Sequence, residues 1–315
     1  MNIDSIYRPV QPEMNRVDRR LDQVAKTAPA EMVEQLKHAL EGGGKRVRPA
    51  ITLFAGKFFN YNLGLLIPMA TGVELLHTAT LIHDDTIDDA QMRRGKQSVK
   101  ERWGNTNAVL LGDYLFAKSA GMVAETGNIR VIKLFAQTLM TICTGEIEES
   151  INTLNQNRQI YFRTIGNKTA SLFAAAGESG AVLAEAPEEA VQSLKDFGYN
   201  LGMSFQIVDD ILDFSGKKET LGKPTASDLA RGVLTLPVIL LLEGPHSQEA
   251  QDALNDKKNA AAISELIDKY SILEECYKVA GEFSDKARTA LESLPRNSAY
   301  DSLMGLTAYV TERKL

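Results

Sequence analysis

The sequence predicts an all-α fold, and three observations predict it. Most of the chain reads at helical period, few segments alternate strictly between apolar and polar residues, and Gly, Asn and Pro clusters separate the periodic stretches. The helical stretches fall at 31–41, 70–90, 109–124, 131–153, 169–184, 194–214, 235–242, 261–269, 273–294 and 299–311. Breaks lie between them at 42–44, 60–62, 127–128, 155–157, 216–224, 244–245 and 295–297. No fixed-period repeat and no low-complexity linker appears. Residues 1–315 are therefore expected to form one single-domain helical bundle. A bundle builds its sites from side chains that face inward from several helices.

Composition narrows the function classes. Of 315 residues, 44% are apolar and 24% charged, with 10 Pro and 2 Cys, which excludes collagen-like, disulfide-scaffold and disordered chains. A net charge of −6 argues against a nucleic-acid partner and against a polybasic membrane anchor. Cys143 and Cys276 are far apart and are expected to be buried core residues in a reducing compartment. The N-terminal 1–16 stretch has no apolar signal region. The most apolar run, 63–73, carries Pro68 and Thr71 and stops at Glu74, too short for a transmembrane segment. A cytoplasmic protein is expected.

The predicted helix over 70–90 ends in the cluster Asp84-Asp85-Thr86-Ile87-Asp88. At about 100° per residue these three aspartates share one arc of the helix. Carboxylates so close repel one another and raise their own pKa values unless a cation sits among them. The helix over 194–214 ends in the same D-D-x-x-D spacing, Asp209-Asp210-Ile211-Leu212-Asp213, among apolar neighbours that make uncompensated charge expensive. One such cluster alone reads as a solvated acidic face. Two at identical spacing inside apolar helices point to hard oxygen ligands for Mg²⁺ or Ca²⁺, with magnesium favoured where substrate phosphates complete the shell. The expected arrangement is two carboxylate walls facing across a cavity, with Mg²⁺ and a polyphosphate between them.

Cations accompany the acids. The stretch 41–49 joins three glycines to Lys45, Arg46 and Arg48 at the start of an apolar helix, a geometry suited to anions, although solvated cations behind a helix cap explain the bare pattern equally well. Arg93 and Arg94 follow the first cluster and can either pair with Asp88 and Asp89 or reach phosphate bidentately. His77 lies seven residues before Asp84, on the same face. Lys168-Thr169 opens another apolar helix, and Lys223 precedes Pro224 beyond the second cluster.

Taken together, the stretches 42–49, 74–95, 110–117, 145–150, 167–181, 202–214 and 221–237 resemble the trans-isoprenyl diphosphate synthases, and most of all their long-chain bacterial polyprenyl members. The resemblance covers nearly the whole chain. It implies an all-α bundle around a central elongated cavity, usually dimeric, and a head-to-tail 1′-4 condensation of isopentenyl diphosphate onto an allylic diphosphate. It implies three Mg²⁺ ions held by Asp84, Asp88 and Asp209, supported by Asp85, Asp210 and Asp213, with Asp213 also a candidate ligand. Arg93, Lys168 and Lys223 would grip the allylic diphosphate, with Thr169 and Gln206 lining its site. Lys45, Arg48, His77 and Arg94 would hold the diphosphate of isopentenyl diphosphate. A homodimer is the expected assembly, with the catalytic half of a heteromer as the alternative.

Two positions depart from the family pattern: Val233 stands where many members have Lys, and Glu149 where many have Gln. Neither removes an expected metal ligand. Ala79 and Thr80, five and four residues before the first cluster, are small, so a growing tail is expected to continue past Leu76, Val73 and Gly72 to C30 or longer. Phe135, Met140 or Phe173 could supply a plug instead. A shorter-chain synthase is one alternative. A class I terpene cyclase is another, disfavoured by the intact second acid cluster and by the cations at 45–48 and 94. A non-catalytic partner subunit is disfavoured because both acid clusters are intact.

Overall fold

The computed structural model describes residues 2–41, 44–215, 226–255 and 260–312. Its helices run in the order α1 (Ile3–Tyr7), α2 (Gln11–Lys26), α3 (Val33–Leu40), α4 (Val47–Lys57), α5 (Leu63–Ile87), α6 (Val99–Trp103), α7 (Asn105–Ala124) and α8 (Ile129–Ile151). They continue with α9 (Arg158–Ile165), α10 (Ser171–Leu183), α11 (Glu188–Ser215), α12 (Ser227–Ala230), α13 (Leu236–Glu243) and α14 (Ser247–Asn255). The last three are α15 (Ala260–Lys269), α16 (Ile272–Ala290) and α17 (Ser298–Thr311). Two short strands, β1 (Met92–Arg93) and β2 (Lys96–Gln97), form an antiparallel hairpin. The all-α expectation holds.

Asparagines start several of these helices. Asn62, Asn128, Asn157 and Asn297 accept hydrogen bonds from first-turn backbone N–H groups that would otherwise lack partners. α1 and α2 were not among the expected helices. In α2 the apolar stripe Met14, Val17, Leu21 and Val24 is buried, and the charged residues between them hide its period.

α5 is longer than the apolar run at its start suggested. Glu74 does not end the segment but lies in mid-helix, so the apolar run and the first acid cluster share one 25-residue helix. That helix is long and apolar enough to cross a membrane, yet 78% of its most apolar window is buried inside this fold. It packs chiefly against α7, while α10 lies between α4 and α11. Gly198 permits the α10–α11 contact, because a Cβ there would meet the Phe173 carbonyl oxygen at 2.2 Å.

The buried apolar residues form two clusters, and α11 belongs to both. Leu194, Phe197 and Leu201 join the cluster built on α2–α5, α7, α8, α10 and α17. Met203, Ile207, Val208, Ile211 and Phe214 join the cluster built on α9 and α13–α16. The second acid cluster thus rides on the half of α11 held by the C-terminal helices.

α8 presents an apolar stripe outward. Ile129, Ile132, Met140, Ile147 and Ile151 are all exposed, at helical spacing. Cys143 lies on the same face and is exposed, contrary to the expectation of a core position; Cys276 is buried as expected. The general tendency of free Cys to be buried yielded at Cys143 to its place on this outward face.

Candidate active site

The first acid cluster closes α5, and each of its aspartates has a different neighbour. Asp84 is half-buried, and burial pushes its carboxyl up to about 7, with Glu146 and Asp88 adding like charge while Lys168 and Arg93 oppose them. Asp85 is buried and accepts a 2.8 Å hydrogen bond from Arg93 Nε. Asp88 caps α5 and pairs with Arg231. Asp89 has positive φ and pairs with Lys100. The hairpin turn Arg94-Gly95, with φ of 50° and 77°, returns the chain so that Arg93 meets Asp85. The pairing of Arg93 and Arg94 with Asp88 and Asp89 considered from sequence gives way to Arg231 on Asp88 and Lys100 on Asp89.

On α11, Asp210 is buried and accepts hydrogen bonds from Tyr161 Oη at 2.6 Å and Gln206 Nε2 at 2.9 Å. Burial raises its carboxyl well above the usual range, with Asp228 and Asp209 adding to the effect. Gln206 in turn accepts a 2.7 Å bond from Thr169 Oγ1. Asp213 accepts from Ser227 Oγ at 2.7 Å and from the Asp228 backbone N–H at 3.3 Å, which ties it to the start of α12. Asp209 acts electrostatically on Arg48.

Lys168 and Thr169 sit in a single π-helical turn, Gly166–Ala170, between α9 and α10, a distortion frequent at functional sites. Gly145 on α8 makes room for this turn, since a Cβ there would meet the Lys168 backbone nitrogen at 2.6 Å. Lys168 Nζ lies 2.7 Å from Glu146 and 2.6 Å from Glu149. Burial alone would lower this ammonium, but Glu149, Asp84 and Glu146 carry it above the ordinary lysine range. The glutamate at the departure position 149 is thus a direct partner of Lys168. A cavity of about 130 Å³ opens beside the second cluster, lined among others by Glu149, Lys168, Gln206, Asp210 and Arg231, with Val233 in its wall. No residue of the first cluster lines it, so the expected cavity between two facing carboxylate walls is not what the described residues form.

A second group of cations gathers beside α5. Arg48 is buried, with its guanidinium carbon 4.3 Å from the Phe173 ring centroid. Burial lowers Arg48 to about 10, against the support of Glu74 and Asp209. Burial, followed by Arg48 and Arg94, holds His77 well below the usual imidazole range, so it is neutral near pH 7. Arg94 reaches Gly44, where a Cβ would come within 2.7 Å of its Nη1. Lys45 is exposed, and its Nζ stands 5.1 Å from the Tyr309 ring centroid. Lys223 lies outside the described residues.

Among the described residues, no three His, Cys, Asp or Glu side chains converge into a ready-made metal cage. What joins the two acid clusters is Arg231, which pairs with Asp88 and also with Asp228 at 2.7 Å, whose N–H binds Asp213. Sequence reasoning passed over Arg231, Glu146 and Tyr161. Arg231 lies in the quoted stretch 221–237 and Glu146 in 145–150, but nothing in the pattern gives their partners. The expected tail path is closed along α5: Ala79, Leu76 and Val73 are fully buried, and Gly72 packs against Val123 and Ser119 of α7. Met140, considered as a plug, is 62% exposed and points away from the core; Phe135 and Phe173 are buried.

Comparison with known proteins places this geometry in context. A family model described as polyprenyl synthetase matches residues 29–270. The chain is 39% identical to heptaprenyl diphosphate synthase component 2 of Geobacillus stearothermophilus, over 99% of each chain. It is 31% identical to octaprenyl diphosphate synthase of Escherichia coli (strain K12), again over 99% of each. A polyprenyl synthase from Caulobacter crescentus CB15, solved with calcium and isoprenyl diphosphate, superposes with a TM-score of 0.92 at 33% identity, covering 100% of this chain and 98% of that one. Heptaprenyl diphosphate synthase from Staphylococcus aureus gives 0.91 at 31% identity, covering 99% of each.

Proposed function

Because the chain belongs to the polyprenyl synthetase family, we propose that it condenses isopentenyl diphosphate head-to-tail onto an allylic diphosphate, with Mg²⁺, to make a trans-polyprenyl diphosphate of C30 or longer. The observation that carries the reading is the pairing of two unlike charge groups around one site. Two D-D-x-x-D clusters end α5 and α11, and the cations Arg48 and Arg94 gather beside neutral His77 on the adjoining face.

The donor set fits magnesium: every candidate ligand is a carboxylate oxygen, and Asp84 stands half-buried with Glu146 and Asp88 as like-charged neighbours, a repulsion that a bound cation would relieve further than Lys168 and Arg93 do. Asp84, Asp88 and Asp209 would hold the ions, three by the family pattern, with Asp213 also a candidate. Mg²⁺ held by these residues would supply positive charge to the departing diphosphate. Arg93 and Lys168 are arranged for the same charge once a diphosphate replaces Asp85, Glu146 and Glu149 as their partner. Asp210, held by Tyr161 and Gln206, orients the Gln206–Thr169 wall of the allylic site. Lys223 is proposed as a further grip on the allylic diphosphate. On the other side, Lys45, Arg48, His77 and Arg94 fix the diphosphate of isopentenyl diphosphate. The allylic C–O bond breaks with its electron pair going to the diphosphate oxygen. The isopentenyl double bond then attacks the carbocation, and the leaving diphosphate accepts the proton lost. No side-chain base is required.

A long product is supported by the heptaprenyl and octaprenyl names of the relatives and by the small residues Ala79 and Thr80. The tail would have to part the packing around Leu76 as it grows. A homodimer over the exposed stripe of α8 is the proposed assembly, and residues 1–315 are proposed as one domain, soluble in the cytoplasm. The second reading, a catalytic half that needs another subunit, is favoured by the name component 2 carried by the 39% identical relative. Incubating the purified chain with farnesyl diphosphate, labelled isopentenyl diphosphate and Mg²⁺ tests the activity, with product length read by chromatography. Sedimentation of the same sample separates the two assemblies. A folded homodimer without any product sinks the stand-alone reading.

A further inference from the structure

Arg46 stands between two residues assigned to diphosphate binding, yet it turns away from them into the protein. Its φ of 50° puts the backbone in the left-handed region immediately before α4, a conformation that a non-glycine residue keeps only where its surroundings hold it. Three elements hold this one. Nη1 donates to Glu74 Oε1 on α5 at 2.6 Å, Nη2 donates to the Leu40 carbonyl at the end of α3 at 2.8 Å, and Nε lies 3.5 Å from Asp18 Oδ1 on α2. A fourth tie secures the preceding residue, since Tyr7 Oη donates to the Lys45 carbonyl at 2.8 Å.

Glu74 is 2% exposed and sits on α5 one turn before His77. It acts electrostatically on Arg48 and Arg94, in each case favouring the charged guanidinium against the cost of burial. One buried carboxylate therefore serves both Arg48, in the first turn of α4, and the hairpin arginine Arg94, which meets Gly44 just before it. A buried charge is costly unless paired, so removing either partner leaves the other to turn outward or draw in solvent.

We propose that the Arg46–Glu74 pair is a positioning clasp that sets the 44–48 segment against α5, and so shapes the site for the diphosphate of the non-allylic substrate. The assignment rests on the functional reading above. Neither residue touches substrate; both act through Lys45, Arg48 and His77.

The clasp separates from a simple charge effect by its sign. Glu74→Gln makes the anion site more positive, and Arg46→Gln makes it less positive. A purely electrostatic role moves affinity for isopentenyl diphosphate in opposite directions in the two variants. A positioning role weakens it in both. The expected result is a rise of about tenfold in the KM for isopentenyl diphosphate in each variant. The KM for farnesyl diphosphate and kcat should stay within about twofold, and Glu74→Asp and Arg46→Lys should recover part of the loss. Folding is checked by circular dichroism. If a glutamine variant does not fold, its charge-retaining counterpart carries the same KM measurement. Unchanged or opposite shifts in folded variants overturn the clasp. Arg48→Gln is the control for the underlying reading: if it too leaves the isopentenyl KM unchanged, the site assignment fails rather than the clasp. Should the wild type show no condensation, calorimetric titration of inorganic pyrophosphate into wild type and both glutamine variants decides the matter, and equal affinities overturn the clasp.

Discussion

Arg231 pairs with Asp88, so that a guanidinium from the α12–α13 connection neutralises the last carboxylate of the first acid cluster. The same side chain reaches Asp228, whose N–H binds Asp213 of the second cluster. An ion that takes Asp88 must displace this arginine. Arg231→Gln is therefore expected to lower the metal-free melting temperature by about 2 °C, as befits a half-exposed pair, and to enlarge the rise produced by Mg²⁺. Thermal melts with and without Mg²⁺ check both. A smaller Mg²⁺ response in the variant contradicts the competition.

On the proposed reading, the acid clusters divide into residues for the ions and residues that hold neighbouring side chains in place. Asp84→Ala and Asp209→Ala should each reduce condensation at least about a thousandfold with the circular dichroism spectrum unchanged. Labelled isopentenyl diphosphate incorporation gives the rate. Full activity in either variant removes that residue from the ion site.

Asp210 belongs to the second kind. It is buried and keeps its carboxyl among Tyr161 and Gln206, so deleting the tyrosine hydroxyl strips one bond from a buried acceptor. Tyr161→Phe is expected to destabilise the protein by about 1–3 kcal/mol. Urea unfolding at neutral pH measures this; a loss below about 0.5 kcal/mol shows that the bond does not anchor α11 to α9.

How far these roles could be read from sequence depends on whether the signal is local. The acid clusters were legible because D-D-x-x-D on a helix is a local geometric statement, and His77 because it shares that face. The all-α fold was legible from period alone, but α2 was not, because charged residues crowd its apolar stripe. Arg231, Glu146 and Tyr161 act through contacts 143, 22 and 49 residues away in the chain, with Asp88, Lys168 and Asp210 respectively, and no local pattern names such partners. Cys143 was misplaced for the opposite reason: a residue-type tendency was applied where the face of α8 decided.

His77 gives the protein a pH dependence with a definite sign. Burial and four surrounding arginines hold the folded imidazole well below its ordinary value of 6.5, so the folded state stays neutral while the unfolded chain takes up a proton. Stability from this group is fully present above about pH 6.5 and is lost as pH falls below it, by about 1 kcal/mol at pH 5.5. Urea unfolding at pH 7.5 and 5.5 should show that difference for wild type and a smaller one for His77→Gln. An equal drop in both assigns the acid sensitivity elsewhere.

On the proposed reading, chain length is set along the face of α5 below the first cluster. Ala79 is fully buried, whereas Thr80 is half-buried and spends its hydroxyl on the His77 carbonyl at 2.8 Å. A phenylalanine at 79 must push into a packed region and costs about 1–3 kcal/mol, while one at 80 has more room. If the tail grows along this face, parting Leu76 from its neighbours, a ring at either position stops it earlier. Both Ala79→Phe and Thr80→Phe should therefore shift the product distribution to shorter chains, with Thr80→Phe keeping more of the wild-type stability. Thin-layer chromatography of the dephosphorylated products reads the lengths, and melting temperatures identify a variant too unstable to count. Two folded variants that make the wild-type distribution place the growing tail along another wall of the bundle and remove Ala79 and Thr80 from the control of length.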